Sequence, residues 1–237
     1  MRDFLRRRFS REEAVGLSFT LSFLACAVLA VALGSMAHEI REQRGQPSPV
    51  DLEVSGAVIA ERTPERTSVM KALSLPGDQR FLLVATPIVM AGLWAARRHV
   101  SALLFAGSVV GGFGLSSLLK IALTRARPDR WPAIVTETSY SFPSGHTVMA
   151  TVFFGGLAAI VFHRTRRPLP RVLAVFGAAT VVFTVALSRI YLGAHWVTDT
   201  LAGALTGLVW VVAYSATTEA ITRARDRAVT APRAPGP

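Results

Sequence analysis

Long runs without a charged residue, separated by clusters of arginine, constrain this chain more than any other feature of it. Ala14 to Ala37 and Val172 to Leu187 carry no charge at all. A run of that length can cross a bilayer, and a backbone in lipid must satisfy its own hydrogen bonds, which selects helices. The composition agrees: 51% hydrophobic, 17% charged, mean hydropathy +0.41. That is too apolar for an ordinary soluble domain. The net charge of +11 raises the question of a nucleic-acid partner. The arginines flank apolar segments instead of sharing one soluble face, so nucleic acid is excluded as a partner.

The pattern predicts an all-α, polytopic membrane protein, a six-transmembrane-helix bundle. Its spans are placed at about 14–37, 81–96, 100–123, 146–162, 172–187 and 195–217. Ser35-Met36-Ala37 resembles a signal-peptide cleavage site, but the apolar run before it is longer than a signal peptide needs. The polar stretch 38–80 holds Pro47, Pro49, Pro64 and Pro76, and within it Leu52–Ala60 and Thr67–Leu75 read as short amphipathic helices on the membrane surface. Residues 1–222 form a single membrane domain, and 223–237, rich in Arg, Ala and Pro, is expected to be a disordered tail. The lone cysteine, Cys26, permits neither an intrachain disulfide nor a cysteine metal site. Nothing in the sequence specifies an oligomeric state.

Orientation follows from the arginines. With both termini inside, the cytoplasmic pieces hold 15 Arg against five acids, whereas the 38–80 loop holds six basic residues against seven acids. The positive-inside rule then puts 38–80, 124–145 and 188–195 on the extracytoplasmic side.

Three stretches on that side hold candidate site residues. Pro143-Ser144-Gly145-His146 reads as a turn opening a helix. A helix start offers free N–H groups and a positive dipole end, which favour phosphate. Gly145 keeps the backbone accessible, Ser144 adds a hydroxyl and His146 an acid/base group. Lys120 sits near the end of an otherwise uncharged span, with Arg127-Pro128 just beyond; all but two of the 26 basic residues are Arg, the exceptions being Lys71 and Lys120. Lys120 and Arg127 suit phosphate oxygens, although snorkelling and a solvated loop also account for them. In the third stretch Arg189 closes the fifth span, and His195 and Asp199 are four apart, on one face if helical. That spacing lets Asp199 orient one ring nitrogen and leaves the other free. Compensation of a helix dipole is the competing account of Asp199. The residues alone do not tell which histidine is nucleophile and which is acid.

Taken in order, Lys120 with Arg127-Pro128, then Pro143-Ser144-Gly145-His146, then Ser188-Arg189, His195 and Asp199, resemble the three signature motifs of the type 2 phosphatidic acid phosphatase superfamily. The membrane-bound bacterial branch of that superfamily is the one resembled; the vanadium haloperoxidases are soluble relatives. The resemblance implies metal-free phosphoryl transfer with no cofactor. It makes His195 the nucleophile, His146 the general acid/base and Asp199 the group orienting His195. Lys120, Arg127, Ser144, Gly145 and Arg189 would bind phosphate. Opposite protonation states of the two histidines imply a bell-shaped pH profile. The expected substrate is a lipid phosphate in the phospholipid bilayer: phosphatidic acid, phosphatidylglycerol phosphate, or a polyprenyl or diacylglycerol diphosphate. The enzyme would sit in the plasma (inner) membrane. A lipid phosphotransferase, a catalytically silent scaffold or transporter, and a vanadate-dependent oxidase are the competing classes. The complete motif set argues against the silent protein and the six spans against the oxidase. Trp131 and Trp196 read as interfacial anchors.

Overall fold

The computed structural model describes residues 11–230, and among them there are only helices, one short 3-10 turn and connecting loops. We number the helices α1 (Arg11–Glu42), α2 (Pro49–Ala60), α3 (Pro64–Ser74), α4 (Gln79–Ala95), α5 (His99–Leu123), α6 (Gly145–Arg164), α7 (Pro168–Tyr191) and α8 (Val197–Thr230). The all-α expectation holds. Residues 1–10 and 231–237, the latter the end of the expected tail, lie outside the described residues.

The two helices expected in the 38–80 loop are α2 and α3, each starting three residues earlier than read. The reason is capping, which amphipathic periodicity does not register. Ser48 and Asp51 form a reciprocal capping box at 3.2 and 3.1 Å, with Pro49 at the first helical position. Thr63 and Pro64 repeat the device for α3, where the Thr63 hydroxyl accepts the Arg66 N–H at 3.2 Å.

Five of the described helices are long and apolar enough to cross a membrane: Ser22–Glu42, His99–Leu123, Gly145–Arg164, Pro168–Tyr191 and Val197–Thr218. The remaining expected span, 81–96, corresponds to α4, which is apolar but has only 17 residues, with Pro87 inside. At 1.5 Å per residue it rises about 25 Å, short of a hydrocarbon core of about 30 Å. The last helix continues to Thr230, past the boundary at 222 from which a disordered tail was expected. Alanine and arginine favour helix, and no proline follows until Pro232. Large apolar side chains such as Val110, Leu118 and Ile121 on α5 and Leu173, Phe176 and Phe183 on α7 face outward. That belt suits lipid and would be costly in water.

Helix α6 is the centre, packed by α8, α7 and α5. Leu82, Phe105, Val109, Met149 and Phe153 form a buried cluster around it, with the Phe105 and Phe153 rings 5.3 Å apart edge to face. Two glycines set how closely elements approach its N-terminus. A Cβ on Gly203 of α8 would fall 2.8 Å from the Ser144 carbonyl oxygen, and one on Gly77 would fall 2.5 Å from that of His146. Helices α5 and α7 end where α6 and α8 begin, so Leu123, Gly145, Tyr191 and Val197 gather at one end of the bundle.

Candidate active site

That end brings together the three sequence stretches. His195 does not open the last helix, as expected, but lies two residues before it. The turn is built by Gly193 at φ +72° and by the Ala194 N–H bonded to the Arg189 carbonyl at 3.0 Å. Asp199, in the first turn of α8, reaches back and accepts the Trp196 N–H at 2.9 Å. Its Oδ2 also accepts the Ser141 hydroxyl and lies 3.6 Å from His195 Nδ1, with Ser141 Oγ 3.4 Å from the same nitrogen. The orientation of the ring is therefore shared between a carboxylate and a serine, rather than set by the carboxylate alone.

The ring's tautomer follows from its neighbours. His195 Nε2 stands 3.2 Å from Arg127 NH1, which can only donate. Nε2 must then be the bare acceptor and Nδ1 the protonated nitrogen, facing Ser141 and Asp199. The side chain is buried. Burial pushes the His195 imidazole down to about 3, helped by the Arg127 and Arg189 charges and opposed by Asp199.

Around Nε2 stand the cations. Arg127 Nε and NH1 donate to the carbonyls of Ser139 and Ala194, both at 2.7 Å, tying the 124–144 loop to the His195 turn. Lys120 Nζ bonds the Tyr140 carbonyl. Arg189 is buried, donates to Ser74 Oγ at 2.9 Å and pairs with Glu137, while its Nε has no partner. His146, at the start of α6, has Nε2 3.6 Å from Asp78 Oδ2 and Nδ1 4.0 Å from Glu137 Oε1. Gly145 faces Lys120, whose Cε would lie 3.6 Å from an added Cβ. Ser144 caps α6 as a buried residue, accepting the Thr147 hydroxyl at 3.1 Å and donating its N–H to the Asp199 carbonyl at 2.9 Å.

Several groups here were not singled out from sequence. Glu137 is the centre of the cationic cluster, within 3.8 Å of Arg127 as well as paired to Arg189. Burial pushes its carboxyl up, but the Arg189, His146 and Arg127 charges outweigh this and hold it below the ordinary value. Nothing periodic marks it, since it lies in an irregular loop. Asp78 and Ser74 come from the 38–80 loop; Ser141 directly precedes the Phe142–Pro143 peptide, which is cis. Asp51, which the structure places in the capping box of α2, was likewise not singled out. Trp196, expected at the membrane interface, is buried, with Trp131 half-buried at 6.2 Å edge to face. The Trp196 indole N–H donates to the Ala126 carbonyl at 3.4 Å, and the Arg125 guanidinium lies 6.0 Å from its ring centre.

What these helices assemble is an integral-membrane hydrolase of phosphoric esters. The sequence profile of the PAP2 superfamily matches residues 99–223, which include every residue from Lys120 to Asp199, and the chain belongs to that superfamily. It is 32% identical over 178 residues to the phosphatidylglycerophosphatase B of Bacillus subtilis (strain 168), covering 75% of this chain and 87% of that one. It is 32% identical over 113 residues to a lipid A 1-phosphatase of Rhizobium etli, covering 44% of each. Among solved structures, a transmembrane PAP2 type phosphatidylglycerolphosphate phosphatase from Bacillus subtilis superposes with a TM-score of 0.73 at 28% identity, over 84% of this chain and 98% of that one.

Proposed function

We propose that the protein hydrolyses a phosphomonoester or diphosphate of a membrane lipid through a phosphohistidine on His195. The observation that carries this reading is the bare Nε2 of His195, held 3.2 Å from Arg127 beside the cationic cluster. The Nε2 lone pair attacks phosphorus, and the bond from phosphorus to the lipid oxygen breaks. His146 gives its proton to the departing alkoxide, then takes one from the water that cleaves the phosphorus–nitrogen bond. Arg127, Arg189 and Lys120 neutralise the phosphoryl oxygens, helped by the Ser144 hydroxyl and the N–H of Gly145 at the start of α6. The unpartnered Nε of Arg189 is a donor suited to one of those oxygens. Asp199, with Ser141, holds Nδ1–H and stabilises the imidazolium that forms. No step in this sequence needs a metal ion.

The positive-inside rule favours this end outside the cytoplasm of a plasma-membrane protein with both termini inside, which requires α4, despite its 17 residues, to cross a locally thinned bilayer as a further span of a single domain. A phosphatidylglycerol phosphate is the favoured substrate on the likeness to the Bacillus subtilis sequence and structure. A panel of lipid phosphates, assayed for phosphate release with purified protein in detergent, decides this. Release from none of them would defeat the reading. The mechanism has its own test in labelled phosphoenzyme. His195→Ala should form none, and His146→Ala should accumulate it from p-nitrophenyl phosphate, whose leaving group departs unprotonated. An adduct on His195→Ala that vanishes on His146→Ala would reverse the two roles.

A further inference from the structure

A buried ion network lies behind Asp199, away from the phosphate cations. Arg125 has its side chain fully buried, although only one residue separates it from Arg127 at the mouth of the site. All five guanidinium donors are engaged. NH1 donates to Asp199 Oδ1 at 2.6 Å and to Thr198 Oγ1 at 2.7 Å. NH2 donates to Asp51 Oδ2 at 2.8 Å and to the Gln46 carbonyl at 3.4 Å, and Nε to the Gly45 carbonyl at 3.4 Å. Asp51 is likewise fully buried, and its Oδ1 accepts the Thr198 backbone N–H at 2.9 Å. The Thr198 hydroxyl lies 2.9 Å from both Asp51 oxygens.

We infer that Arg125 and Asp51 are positioning residues for the reaction, acting on His195 through Asp199. The inference rests on the reading of His195 as the attacking group. Each of the two oxygens of Asp199 has one task. Oδ2 faces Ser141, the Trp196 N–H and His195; Oδ1 is clamped by Arg125. A carboxylate gripped at one oxygen by a planar cation cannot rotate, so the other oxygen keeps its place beside Nδ1–H. Arg125 by itself would also spend the charge of Asp199, leaving less to stabilise an imidazolium. Asp51 on the far side of the guanidinium offsets that. The three groups together carry one net negative charge, which is left on the His195 side.

Stability alone accounts poorly for such a cluster, because desolvation offsets most of the attraction within a buried ion pair. Its geometric effect is larger: it fixes the direction of one oxygen. The network also assigns a task to the 38–80 loop. Helix α2 delivers Asp51, and its capping box holds that same side chain at the helix start, through the Ser48 N–H on Oδ2 at 3.1 Å. The loop thus completes the orientation of the histidine from outside the four helices that carry the signature residues.

Asp51→Asn in the full-length protein tests this. Rapid-quench measurement of phosphoenzyme formation from p-nitrophenyl phosphate gives the rate per site, and binding of orthovanadate, a phosphate mimic, gives affinity and the number of intact sites. The expected result is a rate about 10-fold lower per intact site, the lower end of the range for outer partners of metal-bound histidines, which are oriented in the same way. Orthovanadate affinity should stay within about 2-fold, since none of the phosphate-binding cations is touched. Thr198→Val keeps the shape and every charge while removing the hydroxyl that Arg125 and Asp51 share. It should give the same split with a loss of about 2- to 10-fold, less than one hydrogen bond to a charged group contributes, because the hydroxyl acts on His195 only through Arg125 and Asp51. Thr198→Val carries the test if Asp51→Asn does not fold. A wild-type rate per intact site, or an orthovanadate affinity that falls in step with the rate, overturns the positioning role. Release of p-nitrophenol by the wild type with no phosphoenzyme would instead overturn the reading of His195, so the two failures are distinguishable.

Discussion

Replacing Glu137 by glutamine should make the enzyme bind inorganic phosphate more tightly. Without ligand, the Glu137 carboxylate pairs with Arg189 and lies 3.8 Å from Arg127, where phosphoryl oxygens are expected to bind. A phosphate dianion arriving there must displace a like charge from its cations. The carboxylate is 26% exposed, and Arg189 is nearly buried, so solvent screens the pair only partly. A glutamine amide in its place would keep the shape and a hydrogen bond to the guanidinium but lose the ion-pair attraction, which for a partly screened pair is about 1 kcal/mol. That much less competition is about a 5-fold gain in affinity. The assay is competitive inhibition by orthophosphate and by orthovanadate at fixed pH and low salt, where such effects are largest. In 1 M salt the gain should shrink. Inhibition constants that stay the same, or rise, in Glu137→Gln would refute the view that this carboxylate competes for the site.

Other expectations follow from the same geometry. The folded pKa of His195 lies at about 3, below its ordinary value near 6.5, so the ring stays neutral across pH 5–8. Phosphoenzyme formation should then show no inflection from His195 protonation near pH 6.5, and one that disappears in a His195-directed variant would contradict the burial argument. The same depression means the unfolded chain binds the proton more readily. Stability should therefore be greatest above the ordinary value and decline as pH falls from there toward 3, as melting in detergent at pH 7.5 and 5 can measure. Activity should survive EDTA, because Lys120, Arg127 and Arg189 supply the charge neutralisation; loss on chelation with rescue by magnesium or zinc would sink the mechanism. In a Cys26→Ala background, a cysteine at Arg166 should escape an impermeant reagent in intact cells, and labelling there would invert the topology.

The sequence by itself determined the long apolar helices, five of which among the described residues can span, and the residues that carry the signature. Uncharged runs can be satisfied in lipid only as helices, and three short motifs fixed Lys120, Arg127, Ser144, Gly145, His146, Arg189, His195 and Asp199 without reference to what surrounds them. Even the loop helices were legible, short of their caps. The tertiary structure decided everything that depends on which loops fold back onto that end of the bundle. Glu137 entered the cationic cluster, Ser141 joined Asp199 on His195 Nδ1, and Asp51 met Arg125 across 74 positions of sequence. No periodicity or spacing encodes such meetings, because an irregular loop has no repeating geometry to extrapolate. Arg125 and Arg127 make the point most directly. They are the same residue type with one residue between them, yet the left-handed Thr124 that ends α5 and the loop beyond it turn one guanidinium into the protein and leave the other beside Nε2. Only the path of the backbone distinguishes them.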